Sequence, residues 1–257
     1  MLAQETSLSS AAAFVTEVFW GMEQKVDGHR VLAKVEKGRI IPYNRNGEPY
    51  SKNFPSGEAQ LLLKHFRVGD IVDGELVGGR FWAFDLPFRS GTDYTSNEYT
   101  MRRAHLRSRE YPYTLPVARL PEAKAELMRK VRDEGGEGVI IKHLYAPYEP
   151  GVRSSKMLKA KYVKTIDCIV SSLNRNGREA IGLSVLDDRE LVEVGACSTI
   201  GKPSVELGDV VLIRYLYATD PEAPRLVQPT LIEVRDDKPP NECTIDQVKY
   251  TSKIVLP

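Results

Sequence analysis

The chain changes character near Lys164, and this change limits the fold more than any other feature. Before Lys164, short strand patterns alternate with two amphipathic helix patterns, whereas after it strand patterns follow one another with little helical periodicity. A chain of 257 residues is long enough for one large domain, or for a larger and a smaller one. We therefore predict two domains, residues 1–164 and 165–257.

The first domain is predicted to be α+β with antiparallel sheets. Residues 18–46 alternate polar and apolar side chains and turn at three glycines, which predicts an antiparallel meander. The other expected elements are a helix at 57–66, a hairpin at 70–86, a helix at 120–136 and two later strands. Mixed elements with mostly antiparallel pairing are typical of the α+β class.

The second domain is predicted to be all-β. Five strand patterns fall within about 70 residues, at DCIVSSL, AIGLSVL, ELVEVGA, DVVLIRYLYA and TLIEVR. This spacing predicts a small Greek-key barrel of the OB type, a fold that often handles nucleic acid. The fold by itself does not give the function.

Charge is divided unevenly between the two predicted domains. The net charge is +1, yet residues 1–164 hold 26 Lys and Arg against 20 Asp and Glu, whereas residues 165–257 hold 10 against 15. The patches RRAHLRSR (102–109) and RSSKMLKAKYVK (153–164) make the first domain the candidate for binding a polyanion. A charge run is equally typical of a solvated face, so this preference is slight.

The sequence contains no targeting or membrane signal. The N-terminus lacks a basic region, and no run of about eighteen apolar residues occurs. We therefore expect a cytoplasmic protein with no membrane partner. The three cysteines, Cys168, Cys197 and Cys243, fit no zinc spacing, so buried free thiols are expected.

Charged residues recur with period two in GMEQKVDGHRVL, residues 21–32. Because strand side chains alternate between faces, Glu23, Lys25 and Asp27 would project together. A turn at Asp27-Gly28 would then bring Arg30 back beside them. Taken alone, this stretch fits a surface hairpin as well as it fits a catalytic lysine.

Two other strand patterns offer complementary groups. DGEL groups Asp73 with Glu75, and KAK groups Lys159 with Lys161. A lysine amine becomes a nucleophile when it loses its proton, which neighbouring cations or desolvation favour. The same cations would neutralise a phosphate under attack, and carboxylates such as Glu75 and Glu137 would hold Mg²⁺. The pattern predicts phosphoryl or nucleotidyl transfer through a lysine.

Six motifs occur in the order found in covalent nucleotidyltransferases. They are KVDGHR (25–30), DGEL (73–76), FWAFDLP (81–87), EGVIIK (137–142), LKAK (158–161) and RDDK (235–238). Through them the chain resembles this superfamily, and most closely the ATP-dependent DNA ligases, over residues 20–240. The segment YNRNG (43–47) also resembles a ligase segment whose arginine contacts the nick, here Arg45.

The resemblance implies a reaction in three steps. Lys25 would attack the α-phosphate of ATP to give a lysyl-AMP intermediate, AMP would pass to the 5′-phosphate of nicked duplex DNA, and the 3′-hydroxyl would displace AMP. Lys159 and Lys161 would grip the α-phosphate as further catalytic residues. Glu137 and Glu75 would hold Mg²⁺ or Mn²⁺.

The resemblance also implies the remaining binding residues. Glu23 would read the adenine amino group, and the Phe84 ring would stack on the base. The other nucleotide-binding residues implied are Arg30 and Glu75 at the ribose, and Arg235, Asp237 and Lys238 at the pyrophosphate. Asp27 and Arg45 would serve the contact with DNA.

Other functions share parts of this pattern. RNA ligases and mRNA capping guanylyltransferases use the same lysine chemistry, whereas a single-strand-binding protein with the same barrel would not need the filled catalytic positions. Because only 24 residues precede Lys25, we expect a minimal, two-domain, monomeric DNA ligase without the N-terminal DNA-binding domain of large ligases. The net charge of −5 after Lys164 means either that the cations of the second domain are concentrated on one face, or that the first domain supplies most of the phosphate contacts.

Overall fold

The computed structural model describes residues 1–174 and 177–250, which form two compact units. The first comprises Met1–Lys161, and the second begins at Tyr162. The sequence placed the boundary three residues later, because the strand pattern of LKAKYVK continues to Lys164. In the structure one strand ends at Lys161 and the next begins at Lys164. The last seven residues of the predicted second domain lie outside the described residues.

The first unit is built from strands and short helices. Its strands are β1 (Leu2–Glu5), β2 (Trp20–Lys25), β3 (His29–Glu36), β4 (Arg39–Tyr43), β5 (Ile71–Val77), β6 (Arg80–Arg89), β7 (Thr92–Asp93), β8 (Gly138–His143) and β9 (Arg153–Lys161). Its helices are α1 (Leu8–Ala13), α2 (Ser56–His65), α3 (Tyr99–Arg107) and α4 (Pro121–Asp133). All strand pairs are antiparallel except β1 with β9, in agreement with the predicted α+β class.

The strands of the first unit divide into two sheets. One has the order β1-β9-β8-β2, and the other has the order β4-β3-β5-β6-β7. In the first, Met22, Val139 and Ile141 are fully buried in a core to which α1 and α4 also contribute. In the second, alternate residues of β3 are buried against α2 and α3, which turns Arg30, Leu32 and Lys34 to the opposite face.

Local sequence signals predicted most of these elements. The expected helices near 57–66 and 120–136 are α2 and α4, and the expected hairpin at 70–86 is β5 with β6. The predicted meander is wrong at its first turn, because β2 pairs with β8 whereas β3 pairs with β4 and β5. Asp27-Gly28 therefore carries the chain from one sheet to the other. Helices α1 and α3 were not predicted.

The second unit contains the five predicted strands. They are β10 (Lys164–Ser172), β11 (Ala180–Asp187), β12 (Glu190–Ser198), β13 (Val210–Tyr215) and β14 (Thr230–Val234). They form one antiparallel sheet in the order β12-β11-β10-β13-β14 around an apolar core. Among the described residues, no hydrogen-bonded ladder joins β12 to β14, so the structure does not show the closed barrel that the sequence predicted.

Three of the four arginines in the basic patch RRAHLRSR are buried, whereas Arg107 is exposed. Arg102 is 1% exposed and binds both carboxylate oxygens of Asp85, at 2.9 and 3.1 Å. Arg103 donates to two backbone carbonyls, and Arg109 binds Asp70 at 2.8 Å. These three arginines hold α3 and the chain after it against the second sheet, so they cannot serve as the polyanion contact that the charge run suggested.

The three cysteines, Cys168, Cys197 and Cys243, are buried and free, as the sequence predicted. Within the described part of the chain, no helix is long and apolar enough to cross a membrane.

Candidate active site

Three motif residues meet where β2, β8 and β9 lie side by side. Lys25, the last residue of β2, is paired with Gly138 of β8, and Gly138 is paired with Lys161 of β9. Lys25 and Lys161 therefore extend from the same face of the sheet. Both bind the carboxylate of Glu137, with Nζ–Oε distances of 2.5 Å for Lys25 and 3.1 Å for Lys161. Glu137 is buried, whereas the side chains of Lys25 and Lys161 are 20% and 17% exposed, so the cluster of two cations and one anion is partly open to solvent.

Glycines in three of the motifs allow this close assembly. A Cβ atom at Gly138 would lie 2.0 Å from the carbonyl oxygen of Ala160, where β8 and β9 meet. At Gly28 it would lie 2.4 Å from the Leu76 carbonyl oxygen, and at Gly74 it would lie 2.6 Å from the Trp82 carbonyl oxygen. The glycine of KVDG is therefore required by its close approach to the backbone of β5 at the start of β3, rather than by the hairpin turn inferred from the sequence.

An open cavity is lined by residues of both sheets. The first sheet contributes Glu23, Lys25 and Lys142, and the second contributes Glu75 and Phe84. Five charged or aromatic side chains thus converge on one space that is open to solvent. Convergent polar groups beside an aromatic wall are typical of small-molecule sites.

Arg30 is held on the second sheet by a buried carboxylate. Its Nε and one terminal nitrogen bind the two oxygens of Asp73 at 2.9 and 2.6 Å, and the Tyr148 hydroxyl donates to Asp73 at 2.8 Å. Burial acts to raise the pKa of Asp73, but the Arg30 charge and the bonds from Arg30 and Tyr148 outweigh it and lower the pKa. The guanidinium lies 5.8 Å from the centre of the Phe84 ring. The sequence grouped Asp73 with Glu75, but in the structure Asp73 binds Arg30 and holds that side chain in place.

Glu75 lies beside Arg30, its cross-strand partner in β3. Burial raises the pKa of Glu75 to about 7, and the charges of Asp73 and Glu137 add to this effect, although Lys25 and Arg30 oppose it. Glu75 is therefore a carboxyl group that changes charge near neutral pH within reach of both cations. Groups tuned in this way occur preferentially at functional sites.

Glu23 is buried at the inner end of the cavity. Its carboxylate binds Lys142 Nζ at 2.7 Å and accepts a hydrogen bond from the Tyr99 hydroxyl. Lys142 Nζ also lies 4.5 Å from the centre of the Phe84 ring. The sequence motifs assign no role to Lys142, the last residue of EGVIIK. Tyr99 carried no sequence signal, because α3 was not predicted.

The remaining predicted residues of the first unit lie outside this cluster. Lys159 Nζ lies 3.5 Å from the carboxylate of Glu5 on the neighbouring β1 and does not bind Glu137. Arg45 is exposed in the turn after β4, a turn closed by hydrogen bonds to the Asn44 side chain. Asp27 is half-buried in the crossing between the sheets.

In the second unit, the RDDK motif forms its own ion-pair network. Arg235 binds Asp237 at 2.7 and 2.9 Å, and this hydrogen bond is the main reason that the pKa of Arg235 is raised. Lys238 Nζ binds Asp167 of β10 at 2.5 Å, and Arg235 approaches the same carboxylate at 3.4 Å. Asp167, which sequence reasoning missed, therefore ties both cations of the motif to the sheet.

The site combines a lysine, a carboxylate paired with it and a cavity with an aromatic wall, in agreement with the motifs. Comparison with known families shows which family the chain belongs to. A family model described as ATP dependent DNA ligase domain matches residues 1–80 and 78–161, more than half of the chain. The chain belongs to the ATP-dependent DNA ligase family. The resemblance inferred from the sequence motifs is thereby confirmed.

Relatives within the family differ in how much of their length is matched. The multifunctional non-homologous end joining protein LigD of Mycolicibacterium smegmatis is 28% identical over 210 residues, which are 72% of this chain and 27% of LigD. DNA ligase C2 of the same species is 33% identical over 217 residues, which are 67% of this chain and 60% of that ligase. The chain thus spans about a quarter of the length of the LigD protein.

A solved ligase structure has the same fold. The structure described as mycobacterial DNA ligase D complexed with ATP and MES is 22% identical and matches with a TM-score of 0.57, over 95% of this chain and 97% of that one. The chain therefore has the mixed α/β, nucleotidyltransferase-like fold of ligase domains.

Proposed function

We propose that this protein seals 5′-phosphate/3′-hydroxyl nicks in duplex DNA, using ATP and a lysyl-AMP intermediate. The observation that carries the proposal is the ion-paired cluster of Lys25, Lys161 and Glu137, together with the cavity that Lys25 lines with Glu23 and Phe84. Family membership supports the reaction class, and the geometry supports Lys25 as the nucleophile.

In the first step, the Lys25 amine attacks the α-phosphorus of ATP. A nitrogen–phosphorus bond forms, the bond between the α-phosphorus and the bridging oxygen breaks, and pyrophosphate leaves. Glu137 Oε2, hydrogen-bonded to Nζ at 2.5 Å, is placed to accept the proton that the amine must lose. Lys161 forms an ion pair with the same carboxylate, and its positive charge would stabilise the phosphate oxygens.

In the later steps, AMP passes from Lys25 to the 5′-phosphate of the nick, and the 3′-hydroxyl then displaces AMP. Phe84 offers a ring face to the adenine base, and Glu23 offers an acceptor to its amino group. Arg30, fixed by Asp73, and Glu75, its neighbour, are proposed to bind the ribose. These roles are supported by the positions of Glu23, Glu75 and Phe84 in the lining of the cavity, and of Arg30 beside Glu75.

A divalent cation fits the carboxylates present. The charges of Glu75 and Glu137 repel one another, which contributes to the raised pKa of Glu75, and a cation between them would relieve that repulsion. Among the described residues no group of three or more His, Cys, Asp and Glu could hold a metal, so the nucleotide phosphates would have to supply further ligands. We propose that Glu75 and Glu137 would hold Mg²⁺ or Mn²⁺ together with those phosphates. The bound ion would neutralise phosphate charge.

Residues outside the cluster are assigned from the family resemblance. Lys159 is proposed to bind the α-phosphate, which requires it to leave Glu5, an exposed partner that forms only a weak surface pair. Arg235, Asp237 and Lys238 are proposed to act in the adenylylation step. The second unit is proposed to be of the OB type, since its first strand lies centrally among five antiparallel strands, and the protein is proposed to act as a monomer.

Arg45 and Asp27 are proposed to serve DNA binding. Replacing Arg45 with alanine is expected to weaken nick binding and to reduce the slope of log affinity against log salt by about 0.9, the value for one phosphate contact. Arg39→Ala is the matched control, because Arg39 is an exposed arginine of the adjoining β4 that already pairs with Glu36. An Arg45→Ala slope equal to that of the wild type would remove Arg45 from the interface.

The charge of Glu75 predicts a pH dependence. Its pKa of about 7 means that the carboxylate fraction rises roughly tenfold between pH 6 and pH 8, so the rate of self-adenylylation at limiting ATP should rise by about the same factor. Glu75→Gln should remove this inflection, whereas Glu5→Gln, at an exposed carboxylate, should retain it. An inflection that persists unchanged in Glu75→Gln would assign the titration to another group.

The proposed function is tested with α-labelled ATP and GTP offered together with nicked DNA, nicked RNA and hybrid duplexes. Label from ATP on the protein, followed by sealing of nicked DNA, is the expected result. Transfer of GMP alone would indicate capping chemistry, and sealing of RNA alone would indicate an RNA ligase. Either result would overturn the proposal.

A further inference from the structure

Two buried residues each contact one carboxylate oxygen of Glu23. Lys142 Nζ binds Oε2 at 2.7 Å, and the Tyr99 hydroxyl donates to Oε1. Glu23 and Tyr99 are each 2% exposed, and Lys142 is 6% exposed. A buried ammonium is costly unless it is paired, so an arrangement of this kind indicates a defined task for Lys142.

The surroundings keep Lys142 and Tyr99 in place. Lys142 Nζ lies 4.5 Å from the Phe84 ring centre and 4.8 Å from the Tyr99 ring centre, distances at which aromatic rings attract a cation. Tyr99 opens α3, and its backbone amide donates to the Ala146 carbonyl at 3.0 Å. Burial and the neighbouring Glu23 charge raise the pKa of Tyr99 well above its usual range, so its hydroxyl remains a donor.

The pairing sets what Glu23 can recognise. A carboxylate paired with an ammonium accepts hydrogen bonds and donates none. It therefore matches a base edge that carries an amino group, as adenine does at C6, and repels an edge that carries a carbonyl oxygen, as guanine does at that position. Without the ammonium, the carboxylate would lose one of the two contacts that orient its oxygens, and its discrimination between the two edges would weaken.

We propose that Lys142, assisted by Tyr99, is a specificity-determining positioning residue that makes the nucleotide site select adenine over guanine by holding Glu23 as an oriented acceptor. This inference rests on the proposed function, because it concerns the nucleotide that reacts with Lys25. It adds two residues to the site, neither of which the motif assignments had given a role.

The test compares self-labelling by α-labelled ATP and GTP in three variants. Lys142→Met removes the charge and keeps much of the chain length, Lys142→Arg keeps the charge, and Tyr99→Phe removes only the hydroxyl. A hydrogen bond to a charged group corresponds to roughly a tenfold effect or more, so the ATP-to-GTP rate ratio should fall at least about tenfold in Lys142→Met. It should fall less in Tyr99→Phe and stay closer to the wild-type ratio in Lys142→Arg.

Rescue by the conservative variant separates this role from a merely structural one. Lys142→Arg should restore the ATP-to-GTP rate ratio that Lys142→Met loses, even where both variants label more slowly than the wild type. An unchanged rate ratio in Lys142→Met, with only a lower overall rate, would overturn the inference. If Lys142→Met does not fold, the ratio in Tyr99→Phe decides, and an unchanged ratio there overturns it.

The outcome also distinguishes this inference from the proposed function. Wild-type protein that takes no label from ATP contradicts the proposed function itself. Wild-type protein that takes label, together with variants whose nucleotide preference is unchanged, contradicts only the role of Lys142 and Tyr99.

Discussion

Lys25→Ala is expected to abolish labelling of the protein by α-labelled ATP, a loss on the order of 10⁴-fold or more. The reason is that Lys25 Nζ supplies the electron pair for the new bond. Lys161 pairs with the same carboxylate of Glu137, but it lies on β9 rather than at the end of β2 and is not expected to replace Lys25. Lys25→Arg should be equally inactive, because a guanidinium does not lose its proton in proteins. The measurement is the initial rate of protein labelling in the presence of Mg²⁺.

Two comparisons make the Lys25 result specific. Lys34→Ala removes a half-buried lysine of β3 that pairs with Glu36, and it should label at the wild-type rate. Lys25→Ala should still seal a nick that already carries AMP, since that step uses the 3′-hydroxyl as the nucleophile. Full labelling of Lys25→Ala would place the nucleophile elsewhere in the chain.

Asp73→Asn is expected to lower the free energy of unfolding of the first unit by about 3 to 5 kcal/mol. Asp73 is fully buried and binds Arg30 through both oxygens, so the substitution leaves a guanidinium without its counter-charge. Because folding lowers the pKa of Asp73, the pair stabilises the fold above the unfolded-state pKa of about 4, and this stabilisation is lost as the pH falls below it. Denaturant unfolding measured at neutral pH checks the prediction.

Glu36→Gln serves as the control for Asp73→Asn. Glu36 also pairs with an arginine, Arg39 at 2.8 Å, but that pair is at the surface. Its removal should leave the unfolding midpoint unchanged. If Asp73→Asn left the midpoint equally unchanged, Asp73 would not be the residue that fixes Arg30.

Local pattern predicted most elements and the alternation within β2 because it depends on near neighbours. Period-two alternation placed Glu23 and Lys25 on one face of β2, and the structure pairs them with Ile140 and Gly138, which lie two residues apart on β8. It failed at Asp27-Gly28, where a glycine resembles a turn residue although it is required by the backbone of Leu76, a contact between distant parts of the sequence. Turn chemistry alone does not distinguish these two reasons for a glycine.

Charge alone misled the interpretation of RRAHLRSR for a related reason. Arginine is usually exposed, but Arg102 and Arg109 are buried. Each is paired with a carboxylate, Asp85 or Asp70, that lies 17 or 39 residues earlier in the chain. The same separation hid Tyr99, which reaches Glu23 across 76 positions. Residues whose role depends on a distant partner could not be assigned from the sequence, whereas motif order was sufficient to identify the family.

The most direct test of the account is to locate the nucleotide on the protein. After incubation with ATP and Mg²⁺, mass spectrometry of the intact chain and then of its peptides should show one AMP, attached to Lys25. The bond should be labile in acid and stable in base, as expected for a phosphoramidate. AMP attached to Lys159, Lys161 or any other residue, or ATP consumed with no AMP on the protein, would contradict the account.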